Sequence, residues 1–218
     1  MEALTPRTAQ KVGLSRGAFY RDAREGRLDR IARGIYLPAE APAMDWDLIE
    51  ASTRRPDATI CLTSALAHYD LTDEIPATVD VAIPRGSRTP AGRAAITWHH
   101  FDAATFDIGR DQMTIPGSNQ TIGIYSPERC IADTFRLRGS VGYELARDVL
   151  RQWLRAGGKP ALLMDIAARL PEWSNAQGVN ETDDRAACRD WVRRMGADGW
   201  LRYCVSAEHG GALPQLDS

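Results

Sequence analysis

Lysine is almost missing from this chain. Lys11 and Lys159 stand against 25 arginines in 218 residues. A restriction-type nuclease commonly sets an acidic residue two places before a catalytic lysine, and those two places hold Ala9 and Gly157. Cysteine is scarce as well. Cys61, Cys130, Cys188 and Cys204 are separated by 69, 58 and 16 residues, which fits no zinc or redox spacing. They are expected to be buried, reduced thiols of a cytoplasmic protein. No apolar run approaches the length of a transmembrane helix, and MEALTPRTAQK lacks the apolar core of a signal peptide.

Catalytic signatures are missing in the same way. His99 and His100 are adjacent on an expected strand, so they point to opposite faces and cannot easily share a metal. There is no G-x-S-x-G elbow, and Gly157-Gly158-Lys159 lacks the flanking residues of a phosphate-binding loop. A minimal nucleotidyltransferase needs Gly-Ser followed about ten residues on by two metal-binding acids. Gly86-Ser87 leads instead to Thr97-Trp98-His99, and Gly117-Ser118 leads to Glu128-Arg129-Cys130. The chain is expected to be no enzyme and to hold no metal and no cofactor.

What is present is an asymmetry of charge. The formal net charge is −2 and 44% of residues are hydrophobic, enough for a globular core. Residues 1–38 carry eight basic side chains against Glu2, Asp22, Glu25 and Asp29, so this segment is +4 and the rest of the chain −6. A basic head on an acidic body suggests a polyanion partner for the head alone.

The head has the punctuation of two short helices. Thr5-Pro6 can cap and open the first, which runs to about Val12. Gly13-Leu14-Ser15 then makes a tight turn in which Ser15 caps a second helix, RGAFYRDARE, that stops at Gly26. Leu28, Ile31 and Ile35 flank Ala32-Arg33-Gly34, which predicts a hairpin. At about 100° per residue, Arg16, Gly17, Tyr20, Arg21 and Arg24 occupy an arc of roughly 140° on the second helix, while Phe19 and Ala23 turn toward the first. Such a face suits the major groove of double-stranded DNA, where arginine can hold guanine by two hydrogen bonds. Gly17 permits close approach, Tyr20 can meet a phosphate or sugar, and Arg30 and Arg33 on the hairpin can touch flanking phosphate or the minor groove.

The body reads as mixed α and β. A helix is expected over 45–53, a short buried strand at Ile60 and Leu62, and a helix capped by Thr63 or Ser64. Strands follow at 78–84, 94–101 and 121–125, with RGSRTPAGR (85–93) as a basic turn between the first two. Helices are expected at 126–136, at 141–156 with Val141, Leu145 and Val149 in a stripe, and at 160–170 with Leu162, Leu163, Ile166 and Leu170 on its apolar side. Residues 171–184 read as a polar linker, and 186–195 as a short helix carrying Trp191 and Val192. The expected fold class is α+β: an N-terminal winged helix-turn-helix over 1–38, a mixed α/β domain over 39–170, and a linker with a short helix over 171–218.

The order of short motifs resembles the AbiEi family of type IV antitoxins. It comprises Leu4-Thr5, Gly13-Leu14-Ser15, Gly26-Arg27-Leu28 and Arg33-Gly34-Ile35-Tyr36 in the head. In the body it comprises Thr63-Ser64-Ala65-Leu66-Ala67-His68, Val81-Ala82-Ile83-Pro84-Arg85-Gly86, and Ser126-Pro127-Glu128-Arg129 followed by Asp133. The resemblance covers roughly residues 3–170. It implies a bacterial repressor of its own two-gene operon that binds promoter DNA. It also implies an antitoxin that counteracts a nucleotidyltransferase-like toxin without a stable complex. The family has a further helix before the position of Leu4, and the tail from Pro171 matches it poorly. Two other readings stand beside this one: a DNA-binding regulator without a toxin partner, and a protein-interaction module whose basic head is incidental.

Overall fold

A computed structural model describes residues 3–40, 45–91, 95–137 and 143–170. Among the described residues the fold is mixed α+β, with seven α-helices and two sheets. It divides into two compact units: Met1–Ala65 with Glu74–Ser126, and Leu66–Asp73 with the chain from Pro127 onward. Residues 1–38 therefore lie wholly within the first unit, together with the larger sheet. The expected linker and helix over 171–218, Cys188, Cys204 and His209 fall outside the described residues.

The first unit begins with α1 (Pro6–Lys11) and α2 (Arg16–Arg24). Thr5 and Thr8 form a reciprocal cap: Thr5 Oγ1 accepts from Thr8 N at 3.1 Å, and Thr5 N donates to Thr8 Oγ1 at 2.8 Å. Ser15 Oγ accepts from Ala18 N at 3.2 Å and starts α2. Between them Gly13 sits at φ +83°, a left-handed turn that a side chain would disfavour. Strands β1 (Leu28–Ala32) and β2 (Ile35–Pro38) pair antiparallel, with Arg30 opposite Tyr36 and an irregularity before Ala32. Leu4 forms a separate, isolated antiparallel bridge with Tyr36. Ala9, Phe19 and Leu28 form a small core, closed by Leu4, Leu14, Ala23 and Tyr36.

Asp45 caps α3 (Trp46–Arg54), taking the N–H groups of Asp47 and Leu48 at 3.1 Å. The five-stranded sheet follows in the order β5-β4-β3-β7-β6. Its strands are β3 (Thr59–Ile60), β4 (Val79–Pro84), β5 (Ile96–Phe101), β6 (Arg110–Thr114) and β7 (Thr121–Tyr125). β4 runs parallel to β5 and β3 parallel to β7; the other neighbours are antiparallel. Ile60, Val81, Ile83, Ile122 and Tyr125 are among its buried side chains, and Ile49 on α3 is buried as well. The Tyr125 hydroxyl donates to Phe106 O at 2.8 Å.

Two expectations change here. Leu62 does not extend the strand: it opens α4 (Leu62–His68) at φ +45°. Ser64 does not cap that helix, because its hydroxyl accepts from Asp80 N at 2.8 Å in β4. Residues 85–91 do lie between β4 and β5, while 92 and 93 fall outside the described residues; the two strands pair in parallel, with Pro84 level with Phe101.

In the second unit, α5 (Pro127–Arg136), α6 (Tyr143–Arg155) and α7 (Pro160–Arg169) pack with Leu66–Asp73. Val149, Leu150 and Trp153 are buried in α6, as is Ala146, while Leu145 and Leu154 are half-buried. Val141 lies outside the described residues. On α7, Leu163 and Ile166 are half-buried, but Leu162 is 52% exposed and no residue of the helix is buried, so its expected apolar side is only partly covered. α5 is enclosed even at its charged positions. Arg129 is 1% and Asp133 2% exposed, and Asp133 accepts from Arg129 Nε and Arg136 Nη1 at 2.7 Å each. Burial pushes the Asp133 carboxyl above its ordinary value, against the pull of the two guanidiniums. Lys11 on α1 and Lys159 before α7 are both exposed. No helix among the described residues is long and apolar enough to cross a membrane.

Candidate nucleic-acid interface

Phe19 fixes the orientation of α2. It is fully buried, with its ring edge-on to Tyr20 at 5.4 Å and to Tyr36 at 5.0 Å. Turning Phe19 inward turns Arg16, Gly17, Tyr20, Arg21 and Arg24 outward, and all five are exposed. The structure thus brings the expected helix residues onto one face. Arg30 and Arg33 are also exposed, the first on β1 and the second in the hairpin turn.

The electrostatics of this surface follow from which arginine takes the acids. Arg27 binds both Asp22 and Glu25, which push its guanidinium above its ordinary value, Asp22 most of all. Arg16, Arg21, Arg24, Arg30 and Arg33 make no ion pair among the described residues. Their own contacts are light. Arg24 Nε donates to Tyr20 O at 3.2 Å and Arg30 Nε to Ala32 O at 3.4 Å, while the Arg16 guanidinium lies 6.0 Å from the centre of the Tyr20 ring.

Between α2 and the hairpin lies a cleft of about 690 Å³. Tyr20, Arg24 and Arg30 line it, with Leu28, Asp29 and Tyr36. Arg16, Gly17, Arg21 and Arg33 are not among its lining residues. Tyr36 and Asp29 are the residues sequence reasoning missed. A signal for Tyr36 exists: it stands opposite Arg30 in the hairpin register, and directly paired residues share a face. Asp29 carries no comparable signal.

Gly17 has no packing reason to be glycine. A Cβ there would meet nothing within 4 Å, and its φ is not positive. A glycine inside a helix costs roughly 0.5–1 kcal/mol relative to alanine, so the fold gains nothing from it.

A second polar group stands on the larger sheet. Asp80 Oδ1 meets His99 Nε2 at 2.9 Å, and Asp80 Oδ2 meets the Ser64 hydroxyl at 3.4 Å. The carboxylate lies between serine and imidazole, the reverse of the order in which a histidine activates a serine. Among the described residues no group of His, Cys, Asp and Glu could hold a metal ion.

No protein-family model and no curated protein matches this chain. Among solved structures, the crystal structure of the RV2827C protein from Mycobacterium tuberculosis aligns with a TM-score of 0.48 at 17% identity, over 78% of this chain and 77% of that one.

Proposed function

We propose that the chain is a DNA-binding transcriptional regulator whose residues 1–38 act as a winged helix-turn-helix. In this reading α2 enters the major groove of a duplex and the β1–β2 hairpin serves as the wing. The carrying observation is the set of five exposed arginines without carboxylate partners among the described residues, of which Arg24 and Arg30 line an aromatic cleft, in a segment where Asp22 and Glu25 are bound by Arg27. Arg16 and Arg21 read base edges, Tyr20 and Arg24 meet the sugar–phosphate strand, and Arg30 and Arg33 contact flanking phosphate. Gly17 lets the helix approach closely.

The wider proposal rests on the ordered motifs of the sequence. The chain represses its own promoter in the bacterial cytoplasm and, as a non-enzymatic antitoxin of the AbiEi type, counteracts a nucleotidyltransferase-like toxin without a stable complex. Neither role calls for a cofactor.

The test is fluorescence anisotropy on the chain's own upstream DNA against a random duplex over a salt series. Tighter binding to the upstream DNA, with log K falling linearly against log salt, supports the proposal. No affinity for either duplex at low salt overturns it. For the antitoxin role, co-expression with the adjacent gene product must restore growth; a stand-alone regulator would leave growth unchanged.

A further inference from the structure

The basic segment 85–89 lies outside the surface described above, yet the sheet places it near the attachment of the head. β4 is antiparallel to β3 and β3 parallel to β7, so Pro84 at the end of β4 and Thr121 at the start of β7 share one end of the sheet. Ala3 is anchored at that same end: its N–H donates to Gln120 Oε1 at 2.8 Å, and Gln120 Nε2 donates to Thr53 Oγ1 at 3.1 Å. β4 and β7 are two strand positions apart, about 10 Å.

The segment is also held in shape. Arg85 N donates to Phe101 O at 2.6 Å and Ser87 N to Pro84 O at 3.0 Å. Arg55 Nη2 donates to Ser87 Oγ at 2.8 Å, and His100 Nε2 lies 3.2 Å from Ser87 O and 3.3 Å from Thr89 Oγ1. Gly86 takes φ +88°, which folds the segment back so that Arg85 and Arg88 are both exposed. The neighbouring acid Asp57 is bound by Arg55 at 2.6 Å, and Asp102 accepts from Ala104 N. Arg88 has no ion pair among the described residues.

We propose that segment 85–89 is a second phosphate-contacting element, through which Arg88 and Arg85 grip the backbone of a duplex held by the head. This rests on the DNA-binding reading above and extends its footprint to the sheet. The contact is to phosphate, without base readout, because the arginines stand on an ordered loop rather than on a helix face shaped for a groove.

The experiment measures the salt dependence of binding of the full-length protein to a random-sequence duplex. Each phosphate contact contributes about 0.9 to the slope of log K against log salt. Arg88→Ala is expected to lower the slope by about 0.9, Arg85→Ala with Arg88→Ala by about twice that, and Arg88→Lys to keep it. Circular dichroism confirms that the variants fold. A parental slope in Arg88→Ala overturns the proposal. The combined Arg16→Ala, Arg21→Ala and Arg24→Ala variant separates this from the head: if it binds like the parent while Arg88→Ala loses slope, the head reading fails and the loop contact stands. Absence of all binding at low salt defeats both.

Discussion

Helix α2 and the helices of the second unit use arginine in opposite ways. In α5, Asp133 binds Arg129 and Arg136; in α6, Arg147 meets Glu144 and Asp148, and Arg151 meets Asp148; in α7, Arg169 meets Asp165. Apart from the adjacent Arg147–Asp148 pair, each carboxylate lies three or four residues from its partner, the spacing at which side chains on a helix meet. In α2, Arg16, Arg21 and Arg24 have no such partner, and Arg21 and Arg24 are like charges three residues apart, which costs a helix a few tenths of a kcal/mol. Arginine beside an acid is explained by the fold. Arginine without an acid partner on the exposed face of α2 is not, and it is the feature on which the DNA-binding proposal rests.

The contrast can be pressed hardest at Asp133. Asp133→Asn leaves the buried Arg129 without its carboxylate and should destabilise the protein by about 3–5 kcal/mol. Urea denaturation checks this, and a loss below about 1 kcal/mol would place α5 with the surface pairs. Next come the helix arginines. Arg16→Ala or Arg21→Ala should weaken binding to cognate DNA by about 1–3 kcal/mol, and Arg33→Ala by less, with melting temperatures nearly unchanged. Equal losses on cognate and random DNA for all three would remove base reading from α2. Gly17→Ala should move the two properties in opposite directions, raising stability by about 0.5–1 kcal/mol while weakening DNA binding. A rise in both would make Gly17 incidental. The smallest effect belongs to Arg147→Ala, expected to cost no more than about 0.5 kcal/mol because its partners are exposed.

The head was legible because its structure is local. Thr5, Gly13, Ser15 and the glycine of the hairpin turn act within three or four residues of themselves, so their chemistry can be read in order along the chain. The larger sheet was legible only in part. β6 escaped notice because RDQMT has no apolar alternation; among the described residues it is an edge strand paired with β7. The parallel pairing of β4 with β5 has no local signature. Ser64 turned away from its own helix because Asp80, sixteen residues on, offered a backbone N–H. Nothing in the sequence marks Arg129 and Asp133 as a buried pair, since their enclosure depends on packing that spacing does not encode. On the candidate interface, the helix face could be read from its angular arc, whereas Tyr36 required the hairpin register.

The near-absence of lysine gives the molecule an unusual reactivity. Apart from the α-amino group, amine-directed reagents can reach only Lys11 in the first unit and Lys159 in the second, and both are exposed. Acetylation therefore cannot erase the charge of the α2 face, because arginine keeps its proton at every physiological pH. The same scarcity supplies two natural attachment points for a fluorescent donor and acceptor, so energy transfer between them would follow the spacing of the units while a duplex is added, with no residue altered.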